Sequence, residues 1–211
     1  MNTLAKFIIL AVLHVSFSWS QEHTAYEKGM TKAFELLQAN QLDAAEPLFE
    51  RIANVEDSSW LPHYYVAFIN SMKSWDLKDE VLLKSQLDKA QTHLDAAFKK
   101  SENNAELLVM QAYVYTNWVA YDGMTYGMKY SPRITELYQK AYAFAPQNPR
   151  VLFGKAEWDM GSAKFFGKDT TPFCKDIEKA LELFANFKPE TAYSPNWGED
   201  RAKQVLEQCH K

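Results

Sequence analysis

An all-α fold, an α-solenoid of about four helical hairpins closed by a C-terminal capping helix, is what this sequence predicts, on three observations. An eighteen-residue step from a bulky residue to an alanine occurs three times: Phe49 to Ala67, Leu94 to Ala112 and Tyr138 to Ala156. Around each bulky residue one local spacing is kept: Ala45, Phe49, Ile52; Ala90, Leu94, Ala97; Ile134, Tyr138, Ala141, Pro146; Ile177, Leu181, Phe184, Pro189. Only 7 glycines against 14% aromatic residues argue for long helices packed through large side chains, because strands need frequent turns. A step this regular marks repeats that bury their apolar stripes against one another.

The elements follow from caps and periodicity. A first pair spans 24–39 and 43–55, with Asp43 as cap and Glu46 as its capping-box partner. A second spans 60–75 and 83–100. Asn103 with Glu106 opens the third pair at 105–121, whose partner starts after Ser131-Pro132 and runs to Phe144. Asn148-Pro149 opens a helix over 149–165, partnered by 173–187 behind Thr171-Pro172. Ser194-Pro195 starts a last helix to about Gln208; a polar cap followed by proline suits a first helical turn. In that helix Glu199, Asp200, Arg201, Lys203 and Glu207 alternate with Ala202, Val205 and Leu206, giving one face for the stack and one for water.

The small, large, small, Pro spacing of the second helices resembles the tetratricopeptide repeat (TPR) family. On that resemblance the repeats are about 24–57, 60–102, 105–146 and 149–189, with a cap over 195–210. Repeat one is regular, sixteen residues separating Ala33 from Phe49; in the others the turn between the two helices has grown. The family's Trp and Gly positions are mostly unfilled, and an overall period near 44 also fits HEAT-type pairs. Either way the chain is a stack of α-hairpins.

Residues 1–20 read as an export signal. Lys6 precedes the apolar run Phe7 to Val15, and Ser18 and Ser20 stand three and one residues before a cleavage at Gln21. The run is shorter than the ~20 apolar residues that span a bilayer, which weighs against a retained anchor. Residues 21–211 would then be a periplasmic or extracellular repeat domain with no membrane span. In that oxidising setting Cys174, in the first turn of its helix, and Cys209, in the last turn of the final helix, are placed to pair. Such a bond would stabilise the fold by about 4 kcal/mol. The other reading is two small buried hydrophobes.

Two surfaces are candidates for binding. The enlarged turns, expected as neighbouring loops on one edge, carry Trp75, Tyr121, Met124, Tyr126, Met128, Tyr130, Phe165 and Phe166. Exposed rings and methionines of this kind mark contact surfaces; the alternative is that they fold back into the core. By the family's positions, a concave groove would be lined by Phe34, Tyr64, Tyr65, Phe68, Met72, Met110, Tyr113, Asn117, Arg150, Phe153 and Glu157. The resemblance implies an extended peptide or partner helix there. Arg150 and Glu157 either orient that ligand or stand as surface charges in water.

Catalytic and metal signatures do not stand out. His23, His63, His93 and His210 are isolated in the sequence, with no HExxH or Cys-His spacing. Phosphate loops and nucleophile elbows are missing too. Met124 and Met128 alone make a weak soft-metal site. No cofactor and no metal are expected. A net charge of −4 with interspersed signs disfavours nucleic acid. The expectation is therefore an exported scaffold that binds a peptide or protein through the aromatic groove or the loop edge. Its rivals are an accessory subunit of an envelope or secretion assembly, a small-molecule binder, and an enzyme using Glu157, Asp159 or Asp122.

Overall fold

The computed structural model describes residues 18–209, with side chains from residue 25; most of the expected export signal and His210 lie outside the described residues. The described elements are all helices, without strands. It divides into two compact units, one ending at Asp57 and one running from Ser58 onward.

The first unit is a hairpin of α1 (Ser18–Gln38) and α2 (Leu42–Val55). Asn40 turns the chain at a φ of 55°, a left-handed conformation that asparagine tolerates. Met30, Ala33, Ala45, Phe49 and Ile52 are buried, and Phe34 meets Phe49 edge to face with ring centroids 5.7 Å apart. A Cβ on Gly29 would stand 3.2 Å from Ile52 Cδ1, so glycine permits close approach there. The cap of α2 is Gln41 rather than Asp43, and Glu46 is buried; the helix starts earlier than the capping-box pattern suggested.

The second unit holds α3 (Leu61–Ser74), α4 (Glu80–Lys100), α5 (Ala105–Tyr121), α6 (Gly123–Phe144), α7 (Pro149–Phe165), α8 (Thr171–Asn186) and α9 (Glu199–Cys209). Helices α3/α4, α5/α6 and α7/α8 pair as hairpins, α3, α5 and α7 lie side by side, and α9 packs on α8. The repeat positions account for this. Ala67, Ala112 and Ala156 are buried where neighbouring helices approach, and Leu94 and Tyr138 fill the space opposite. Tyr138 crowds Gly154 so closely that a Cβ there would fall 2.7 Å from the ring, which reserves the position for glycine. Gln91 and Gln111 bond reciprocally between α4 and α5, each amide donating to the other at 2.8 Å.

Asn148 and Asp79 cap their helices, accepting from Arg150 and Val151 amides and from Val81 and Leu82 amides. For α5 the cap is Asn104; Asn103 instead adopts a φ of 56°. Two expected boundaries are corrected. Residues 121–131 are not a loop: Asp122 accepts from the Met124 and Thr125 amides, α6 starts at Gly123, and Pro132 is carried inside the helix. Conversely, Ser194-Pro195 does not start a helix. Residues 187–198 form an irregular strap, and Gly198, at a φ of 109°, turns the chain into α9. Cys174 and Cys209 are disulfide-bonded, with Cα atoms 6.0 Å apart, fastening the start of α8 to the end of α9.

Candidate functional site

The face shared by α3, α5 and α7 carries most of the expected groove residues, and the strap crosses it. Trp197 is the centre of the arrangement. Its ring stacks on Phe68 at 5.3 Å and tilts against Tyr113 at 6.1 Å, while its indole N–H donates to the Tyr64 hydroxyl at 2.8 Å. Further along the strap, the Tyr65 hydroxyl donates to the Tyr193 carbonyl at 2.9 Å. Tyr113 in turn stacks on Trp75 at 6.1 Å, and Tyr64 lies parallel to Phe68 at 6.4 Å. A continuous run of rings therefore leads from exposed Trp75 through Tyr113, Trp197 and Phe68 to buried Tyr64. Aromatic pairs at these separations attract beyond the area they bury.

The expectation of an open groove is thereby corrected: the chain's own segment fills it. Several expected lining residues are core instead. Tyr64, Tyr65, Met110 and Phe153 are buried, whereas Phe68, Met72 and Tyr113 remain partly accessible. Asn117 ties α5 to α3, its amide donating to the Ser71 carbonyl and Ser74 hydroxyl, both at 2.7 Å. Phe34 belongs to the first unit.

Arg150 is not a surface charge. It is 1% exposed and forms a two-point pair with Glu106, Nε donating at 2.8 Å and one terminal nitrogen at 2.6 Å. Phe187, first residue of the strap, lies over the guanidinium at 4.4 Å. The other terminal nitrogen has no hydrogen-bond partner among the described residues. Burial, with the Glu106 charge added to it, pushes the Tyr64 phenol well above its ordinary range, and burial pushes Tyr113 up to about 12. Both phenols stay neutral, able to donate and accept.

The opposite edge has another character. Tyr121 donates to the Lys78 carbonyl at 3.3 Å and Tyr126 to the Glu80 carboxylate, so the α3–α4 and α5–α6 turns are neighbours. Phe165 lies 3.9 Å from where a Cβ on Gly123 would be, which brings the end of α7 to the same edge. Tyr130 is buried against Tyr115 at 4.8 Å, because the segment that carries it is helix rather than loop. Met124, Met128, Phe165 and Phe166 are 82%, 92%, 65% and 70% exposed.

No family model and no curated protein matches the chain. Among solved structures it is similar to the HusA haemophore from Porphyromonas gingivalis, with a TM-score of 0.78, 23% identity, and coverage of 88% of this chain and 93% of that one. The likeness is one of fold.

Two further features bear on chemistry. His63 and His93, thirty residues apart and apparently isolated in the sequence, face each other with their Nδ1 atoms 3.1 Å apart. Burial, then the charges of His93 and Lys100, push His63 down to about 4. No local spacing could have revealed this pair. The carboxylates considered as acid-base groups are all engaged: Glu157 accepts from Arg201 at 2.8 Å, Asp159 pairs with Lys155 at 2.6 Å, and Asp122 caps α6. No group of three or more metal-ligating side chains occurs among the described residues, and none of their helices is long and apolar enough to cross a membrane. Trp197 is the residue that sequence reasoning missed. A tryptophan two residues after Pro195 and directly before Gly198, between two amphipathic helices, was the available signal.

Proposed function

We propose that this chain is an exported, TPR-like binding protein whose ligand is a flat, largely apolar aromatic molecule of the haem class, held on the α3–α5–α7 face. The rings of Trp75, Tyr113, Phe68 and Tyr64, gathered around Trp197, carry the proposal: they offer stacking surface from exposed Trp75 to buried Tyr64. Ligand sites of this type are mostly apolar with a few placed polar groups, here the Tyr64 and Tyr65 hydroxyls and Arg150. The haemophore that shares the fold supports a haem-class ligand, and the disulfide supports an oxidising compartment. Function lives in the site rather than in the fold, so the test addresses the site.

Titrating the purified chain with haem, read by Soret absorbance and tryptophan quenching, should give a saturable complex. Tyr113→Ala should weaken it about tenfold or more, the scale of one well-stacked ring. No saturable spectral change at micromolar chain and haem would reject the proposal.

A second reading is favoured by the exposed edge. Met124, Met128, Phe165 and Phe166 form a patch suited to a protein or peptide partner, such as an envelope receptor or assembly that accepts the cargo. Crosslinking in the native exporting cell, compared with Met128→Ser plus Phe166→Ser, tests it: a partner lost only in the double variant supports edge docking.

A further inference from the structure

We propose that the 187–198 strap is a built-in plug, and that a planar aromatic ligand bearing a carboxylate binds by displacing Trp197 and pairing with Arg150 once the strap lifts; this rests on the binding function proposed above. Trp197 already does what such a ligand would do. It lies against Phe68 and Tyr113 and spends its single donor on Tyr64. A flat ring system with a polar rim can replace each of these contacts.

The strap is built to move without dismantling the fold. Residues 188–192 are exposed, and Thr191 makes local hydrogen bonds with Ser194 and Tyr193. Its holds on the face include the bonds from Tyr65 and to Tyr64, the Trp197 ring contacts, buried Pro195 and Phe187 on Arg150. Beyond it, α9 stays docked through Ala202 and Val205 against Ile177, Ala180 and Phe184, and through the disulfide. Gly198 supplies the hinge, at a φ of 109° that other residues rarely adopt.

What lies beneath selects the ligand's charge. A buried guanidinium with one unpartnered nitrogen is unusual, since buried polar groups are nearly always bonded. Phe187 covers its face, and a Cβ on Gly198 would stand 3.7 Å from Arg150 Cγ, so both ends of the strap sit over this one side chain. Lifting the strap uncovers a donor suited to carboxylate, in a position where charge-assisted bonds are strong. Glu106 holds the other edge of the guanidinium and keeps it aimed.

The experiment uses the full disulfide-bonded chain, protoporphyrin IX and its dimethyl ester, with Kd read from porphyrin fluorescence and folding checked by circular dichroism. When the competent state is only partly populated, apparent affinity falls by that fraction. Trp197→Ala should therefore bind protoporphyrin IX about tenfold more tightly than the parent. Trp197→Phe, which keeps a ring but loses the bond to Tyr64, should lie between and serves if the alanine variant does not fold. The free acid should bind about tenfold better than the ester. Equal affinity of parent and variants overturns the plug while leaving the binding function standing, and weaker binding by Trp197→Ala makes Trp197 a ligand contact, which also overturns it. Equal binding of acid and ester overturns the role of Arg150. Failure of parent and variants alike to bind either porphyrin rejects the binding function itself.

Discussion

The α3–α5–α7 face and the α5–α6 edge are both rich in aromatic and methionine residues, yet they have opposite fates. On the face, Tyr64, Phe68 and Tyr113 are occupied by Trp197, and the Arg150 guanidinium beneath is held by Glu106. On the edge, Met124, Met128, Phe165 and Phe166 stand largely in solvent. The difference teaches that aromatic density alone does not separate core from contact surface. What decides is whether the chain has a further segment long enough to return and cover the rings. The strap supplies one for the face.

Substitutions should divide along the same line. The largest effect belongs beneath the strap: Glu106→Gln leaves the Arg150 charge buried without its counter-charge and should cost about 3 to 5 kcal/mol in urea unfolding. Recovery of most of that loss in Glu106→Gln plus Arg150→Met would show that the charge, rather than the shape, was responsible. Loss of the Cys174–Cys209 bond, which closes a separation of 35 residues, should cost about 4 kcal/mol or less by loop-closure entropy. It should also raise porphyrin affinity, if α9 anchors the strap. An unchanged midpoint on reduction would break the comparison, since the face would then be self-sufficient.

A smaller effect concerns pH. His63 has a folded-state pKa of about 4, below its ordinary 6.5, so between those values the unfolded chain binds more protons than the folded one. Stability must therefore decline as pH falls from about 6.5 toward 4 and level off below. The contribution is on the order of 1 kcal/mol after discounting for the partial exposure of the ring. His63→Gln should flatten that part of the stability profile. The smallest effect belongs to the edge: Met128→Ser should change stability by less than about 0.5 kcal/mol. A cost above about 1 kcal/mol there would mean that the edge, too, is structurally committed.

The fold was largely legible in the sequence because its signals are local or periodic. Asn148 before Pro149 caps α7 as expected, and the eighteen-residue step places Ala67, Ala112 and Ala156 at helix contacts. Two errors came from local signals that compete. Gly123 and Gly127 made 121–131 look like a loop, but the Asp122 carboxylate satisfies the first amides of a helix, and packing of Tyr130 against Tyr115 and Trp118 holds it. Ser194-Pro195 has the chemistry of a helix start, yet Gly198 and the insertion of Trp197 among distant rings override it. The site was less legible because its contacts are long-range. Trp197 meets residues 133 positions away and His63 meets His93 across 30, separations that no spacing rule encodes. Arg150 looked like a solvated charge because its partner, Glu106, lies 44 residues upstream.

The bond between Cys174 and Cys209 turns everything from α8 to α9 into a closed ring, with the strap as part of its circumference. An indole leashed in this way never diffuses off; it faces its slot at an effective concentration on the order of millimolar, whatever the dilution of the protein. On the proposed plug, a guest would have to displace this tethered rival, so a molecule that adds an ion pair to its stacking would compete better than one that only stacks.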